Sequence, residues 1–154
     1  MLRRRAELAD PAGRVKKNAY QAARSLEPDA AAELVEAATQ IAAEQATVEI
    51  ERAVGEAGVE VRSCAVVVGA SRDAPLESIL KSHALAHAAE GRLYQEALLH
   101  GARSCGLDAV AVPKRSLAED LELRKWAEGL RRELGPPWAE DQKLATLAAR
   151  VALR

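Results

Sequence analysis

Phenylalanine is absent from this 154-residue chain, and Trp126, Trp138, Tyr20 and Tyr94 are its only aromatic residues. That scarcity argues against a surface for single-stranded nucleic acid, which needs several aromatic platforms on which bases stack. Cysteine is nearly absent too. Cys64 and Cys105 are far apart and form no CxxC pair, so neither a disulfide framework nor a zinc ribbon is indicated. No apolar run approaches the length that crosses a bilayer. The N-terminal stretch MLRRRAELADPAG carries basic residues with no apolar segment behind them, so it does not read as a secretory leader. The expectation is a cytoplasmic protein with two small, buried thiols.

Alanine is what the chain has instead. Apolar residues make up 49% of the sequence, and alanine supplies 34 of them, against 19 leucines and 12 valines. Alanine buries little surface, so the core must come from close approach of helices rather than from bulky side chains. The abundance of Ala, Leu, Glu and Arg favours helix throughout. The net charge of -1 conceals an asymmetry. Residues 1–26 are basic, residues 27–60 hold nine acids against Arg52 alone, and the remainder is nearly balanced. The basic arm can reach nucleic-acid phosphate, or it can lie against the acidic helix of the same chain or of a partner. The near-zero net charge and the few aromatics give generic nucleic-acid binding little support.

Periodicity and punctuation predict the order α-α-β-α-β-α-α. Residues 1–27 read as a basic arm with a short helix from Arg14 to Leu26, and residues 28–154 as a single α/β domain. A long helix spans Asp29 to Glu56 and ends at Gly55 and Gly58. A strand runs from Val59 to Gly69, apolar at every position from Ala65 to Val68, as in a strand covered on both faces. A second long helix spans Pro75 to Ser104, and a second strand Leu107 to Val112. A third helix follows, capped by Ser116 and carrying Leu117, Leu121, Trp126 and Leu130. A last helix runs from Trp138 to about Leu153. Two strands joined by a helix of this length imply a parallel pair in a right-handed crossover. So short a sheet needs its edge covered, by a helix or by a second subunit.

The stretch KSHALAHAAEGRLYQEAL carries the strongest chemical signal. At about 100° per residue, His83, His87, Glu90 and Tyr94 fall in the middle of the apolar arc made by Leu76, Ile79, Leu80, Leu93, Ala97 and Leu98. Polar groups buried there need partners. Three readings compete. The row can be a hydrogen-bond network that ties the helix to the sheet or to a dimer mate. It can hold one divalent metal through His83, His87 and Glu90, with an acid such as Asp141 from another element. It can also supply a catalytic acid or base, His87 oriented by Glu90. The loop GASRDAP follows the first strand at the end where parallel α/β units bind ligands. Gly69, Ser71, Arg72 and Asp73 are therefore candidates to line the same pocket. Lys114 and Arg115, after the second strand, project toward the same edge. Ser71, Arg72 and Lys114 are the candidate cofactor- or anion-binding residues.

Residues 30–153, through CAVVVGAS, ALAHAAEGRLYQEALLHGARSCGLDAVAVPKRSL and GPPWAEDQKLATLAARVAL, resemble in element order the second half of the RNase H-like fold of Holliday-junction resolvases. The resemblance implies that Asp141, or Glu140, stands at a metal-ligand position of the final helix, before the row Ala145, Ala148 and Ala152. It lacks the Asp-bearing three-stranded meander with which that fold begins. The first strand ends in Val68-Gly69 rather than in an acid, so two-metal phosphodiester cleavage is not implied. The expectation is a helix-dominated α/β homodimer that covers its short sheet and acts as a non-catalytic RNase H-like binding or assembly module. The alternative is a divergent metal-dependent hydrolase. In it His83, His87 and Glu90 face Asp73 or Asp141 across one metal-activated water, and Arg72 and Lys114 steer an anionic substrate.

Overall fold

The computed structural model describes residues 6–70, 73–136 and 138–153. In chain order they form α1 (Ala19–Ala23), α2 (Pro28–Ala57), β1 (Ser63–Val68), α3 (Leu76–Lys81), α4 (His83–Ser104), β2 (Asp108–Pro113), α5 (Lys114–Glu119), α6 (Leu121–Leu134) and α7 (Glu140–Ala152). The helix-dominated α/β class and the order of elements are those the sequence predicts. No helix among the described residues is long and apolar enough to cross a membrane.

The boundaries differ for local reasons. The helix expected from Arg14 is confined to Ala19–Ala23, because the chain before it is held in a turn. The helix expected over Pro75–Ser104 breaks at Ser82, which is extended (φ -119°, ψ 120°) and whose hydroxyl accepts the Leu85 amide as the cap of α4. The helix expected to start at Ser116 starts at Lys114 and is interrupted at Asp120. Asp120 caps α6 by accepting the Leu123 amide at 2.9 Å. Pro28 in the first turn and Gly58 in the left-handed conformation (φ 66°) bound α2.

β1 and β2 pair in parallel, Ser63 opposite Asp108 through Val68 opposite Pro113. Helices cover both faces of this two-stranded sheet. On one face Ile50, Ala102 and Leu107 pack with Cys64 and Ala109. On the other, Leu117, Leu123, Leu144, Leu147 and Ala148 pack with Ala65, Val67 and Val110. Of the row Ala145, Ala148 and Ala152, whose shared side would allow the last helix to approach a sheet closely, Ala148 alone is buried. Leu144, Leu147 and Ala148 face the sheet, while Ala145 and Ala149 are exposed.

The alanine-rich core works by contact between backbones. A Cβ at Gly101 would lie 2.8 Å from the carbonyl carbon of Ala46 and 2.8 Å from the Thr47 nitrogen. α4 therefore crosses α2 at a distance only glycine permits, and Ala42, Ala46, Ala97 and Ala102 fill the rest of the crossing. Cys105 sits beside it, its thiol directed at the Thr47 carbonyl oxygen 3.7 Å away. Both cysteines, expected to be buried, are half-buried, and desolvation pushes both thiols above the ordinary cysteine range, which favours the protonated form.

Gly101→Ala is expected to force the two helices apart and cost about 1–3 kcal/mol. Gly91→Ala, on the open side of the same helix where nothing lies within 4 Å, is expected to stabilise by up to about 1 kcal/mol through helix propensity. Urea unfolding of the two variants checks the opposite signs; a shift of the same sign in both would contradict the crossing.

Candidate functional site

The polar row of α4 meets the N-terminal segment. Glu90 is 7% exposed. Its Oε1 accepts the Ala19 amide at 2.9 Å and its Oε2 the Tyr20 amide at 3.0 Å. It thereby caps α1, a role that the side chain of Asn18 does not take. One turn further on, the Tyr94 hydroxyl donates to the Lys17 carbonyl at 2.6 Å. One end earlier, His83 Nδ1 lies 3.2 Å from Gln21 Oε1. Arg24 extends the seam by donating to the Leu80 carbonyl at 3.0 Å. Burial raises the Glu90 carboxyl above the usual carboxylate range, and the amides of Ala19 and Tyr20 pull against that rise.

The segment so held is itself built around one aspartate. Asp10 accepts the amides of Ala12, Arg14 and Val15, together with Arg14 Nε. Gly13 closes the turn at φ 68°, its amide bonded to the Asp10 carbonyl at 3.0 Å. Burial would raise the Asp10 carboxyl, but these donors outweigh it and lower the value to about 2. Leu8 packs into the α2–α4 seam with Ala42, Ala46, Leu93 and Ala97. The run Asp10-Pro11-Ala12-Gly13 has the residue pattern of a β-turn, with Asp first, Pro second and Gly last. That pattern is the sequence signal for an ordered turn ahead of α1.

The placement of the candidate residues follows. His83, His87 and Glu90 line one cavity of about 520 Å³ with Asn18, Gln21 and Tyr94. Their expected burial is corrected: Glu90 alone is buried, and His83 and His87 are exposed. A helix turns about 100° per residue, and here Ala86 and Ala89, packed with Ile79 and Tyr20, are the buried positions, so the buried arc lies beside the histidines rather than centred on them. Asp141 is not among these residues. It lines a separate groove with Lys114. Asp73, fully exposed, pairs with the half-buried Arg92, and Arg115 pairs with Glu119 on the surface. Ser71 and Arg72 lie outside the described residues. Among the described residues no three His, Cys, Asp or Glu side chains are grouped to hold a metal ion.

The second feature is the outer edge of β1. Arg62 accepts the Asp108 amide through its carbonyl. Peptide groups of a strand alternate between its two edges, so Cys64, Val66 and Val68 turn toward β2, and Ser63, Ala65 and Val67 turn away. β2 is the only strand paired with β1 among the described residues. The outward edge forms the floor of a groove between α4 and α7. Its far end, about 480 Å³, is lined by Ala65, Val67, Gln95, Lys114, Asp141 and Ala145. At the near end of the edge a second cavity, about 340 Å³ and lying between β1 and α7, is lined by Glu60, Arg62, Ser63, Ala149 and Ala152. Gly69 terminates the open edge, its amide 3.4 Å from Gln95 Oε1.

The chain matches no protein-family model, no curated protein and no solved structure.

Glu90→Ala leaves two amides of α1 without an acceptor and is expected to cost about 1–3 kcal/mol. His87→Ala, at an exposed position, should stay within about 0.5 kcal/mol of the parent. Chemical denaturation distinguishes them; equal losses would contradict the assignment of Glu90 as the latch. The Asp10 value gives a second expectation. Because the folded value, about 2, lies below the ordinary 3.8, the contribution of Asp10 is complete above that ordinary value and is lost as pH falls through about 2. Amide exchange of Ala12, Arg14 and Val15 should accelerate in that acid window, and a pH-independent rate after correction for intrinsic exchange would contradict it.

Proposed function

We propose that the protein is a non-catalytic assembly module that accepts an extended strand from a protein partner along the outer edge of β1. One observation carries this reading. The main-chain groups of Ser63, Ala65 and Val67 face a groove between α4 and α7 in which no other strand pairs with them among the described residues. An open, apolar edge of this kind is a template for strand addition, in which backbone hydrogen bonds supply affinity and flanking side chains supply selectivity.

A relationship to the RNase H-like fold fits this reading as a degenerate one. The parallel β1–β2 pair, the intervening α4 and the final helix α7 against β1 support it. The Asp-bearing meander has no counterpart among the described residues. The second reading, a metal-dependent hydrolase at His83, His87 and Glu90, is less well supported. Both oxygens of Glu90 are already used by backbone amides. The buried, unpartnered atom of that cavity, Gln21 Nε2, is a hydrogen-bond donor and adds no metal ligand.

A fluorophore-labelled peptide of residues 61–69, titrated with about 1 µM protein to favour free edges, tests the reading. Saturable binding is expected, with loss in Ala65→Pro and no change in His87→Ala. Absence of binding, or binding indifferent to Ala65→Pro, would contradict it. Total-metal analysis of the same preparations tests the second reading. Stoichiometric metal that disappears in a folded Glu90→Gln variant would favour the hydrolase.

A further inference from the structure

We infer that the strand docked on β1 is β1 of a second copy of this chain, running antiparallel about a twofold axis at Ala65. The inference rests on the strand-docking reading above and names its partner. Four observations lead to it.

The first is register. The outward peptide groups are those of Ser63, Ala65 and Val67, so Ala65 meets the partner's Ala65 and Ser63 meets the partner's Val67. Each such pair exchanges both of its hydrogen bonds, about six in all. The second is burial. A strand laid on this edge brings two faces of its own into the level of the helical layers. A lone peptide leaves those faces wet. A second copy brings its own α4 and α7, so a four-stranded sheet stays covered on both sides.

The third observation is charge. The near end of the groove carries Glu60 and Arg62, an exposed pair at 2.9 Å. The far end carries Lys114 and Asp141, neither of which forms an ion pair among the described residues. Antiparallel pairing brings the near end of one copy to the far end of the other. Glu60 then faces the partner's Lys114, and Arg62 faces the partner's Asp141. Parallel pairing would set like ends together and lose both contacts. The fourth is shape. The groove side of α7 presents Ala145 and Ala149, both exposed and small enough for the partner's α7 to come close. Leu153, 75% exposed at the near end, adds apolar surface. A twofold, self-complementary patch is the commonest route to a closed dimer.

Sedimentation equilibrium of the full chain over about 1–200 µM tests the inference. The mass is expected to rise from 16.5 kDa toward twice that value. Ala65→Pro removes an outward amide and no bond of the β1–β2 ladder, and it should weaken the dimer by at least about tenfold. Lys114→Glu should also weaken it, and adding Glu60→Lys to Lys114→Glu should restore it, a rescue that a merely misfolded variant cannot show. A parent chain that stays at 16.5 kDa, a dimer insensitive to Ala65→Pro, or a charge exchange that fails to restore association would each overturn self-pairing. If the parent stays monomeric yet binds the 61–69 peptide in an Ala65-dependent way, only self-pairing falls. If it is monomeric and binds no peptide, strand docking falls with it.

Discussion

The close crossing of α2 and α4 is the constraint on which the rest of the molecule depends. With Gly101 against the backbone of Ala46 and Thr47, the two longest helices form a rigid plate whose cohesion comes from many small contacts at short range. The plate serves two ends. Toward its C-terminal half it covers one face of the sheet through Ile50 and Ala102, which pack on Cys64 of β1. Toward the N-terminal half of α4 it carries the Glu90 carboxylate that captures α1. A chain without phenylalanine reaches native packing by this route because helices that touch at the backbone leave no volume for large side chains to fill.

Much of this was legible in the sequence. The two strands, the long helix between them and the small-residue core followed from apolar runs, from Gly and Pro punctuation and from alanine content. What escaped were features set by tertiary partners. Ser82 and Asp120 break helices because their side chains cap the next turn, and in sequence each sits within a pattern that periodicity carries straight through. His83 and His87 share a helical face with Glu90, yet only Glu90 is buried. Burial on that face is decided by where the N-terminal segment lies, and helical spacing holds no record of it. Separation of Asp141 from the histidines is likewise a matter of layers, since α7 packs against the sheet on the side opposite α4.

The polar row and the sheet edge thus have different roles. Along the row, most donors and acceptors find partners within the chain: the Glu90 oxygens on α1, the Tyr94 hydroxyl on Lys17, and His83 on Gln21. Such a network is costly to break and holds the segment over the α2–α4 seam. Along β1, by contrast, alternate peptide groups have no strand partner among the described residues, although both faces of the strand are covered by helices. Buried faces with an open edge are the geometry of a sheet that continues into something else. Basic and acidic groups at the two ends of the groove give that continuation a direction.

Residue-resolved amide exchange along β1 tests this account most directly. Cys64, Val66 and Val68, bonded toward β2, should be protected at every protein concentration. Ser63, Ala65 and Val67 should exchange rapidly in dilute solution and become protected as concentration rises. Equal, concentration-independent protection of all six amides would mean that the edge is already closed within one chain, and would contradict the account.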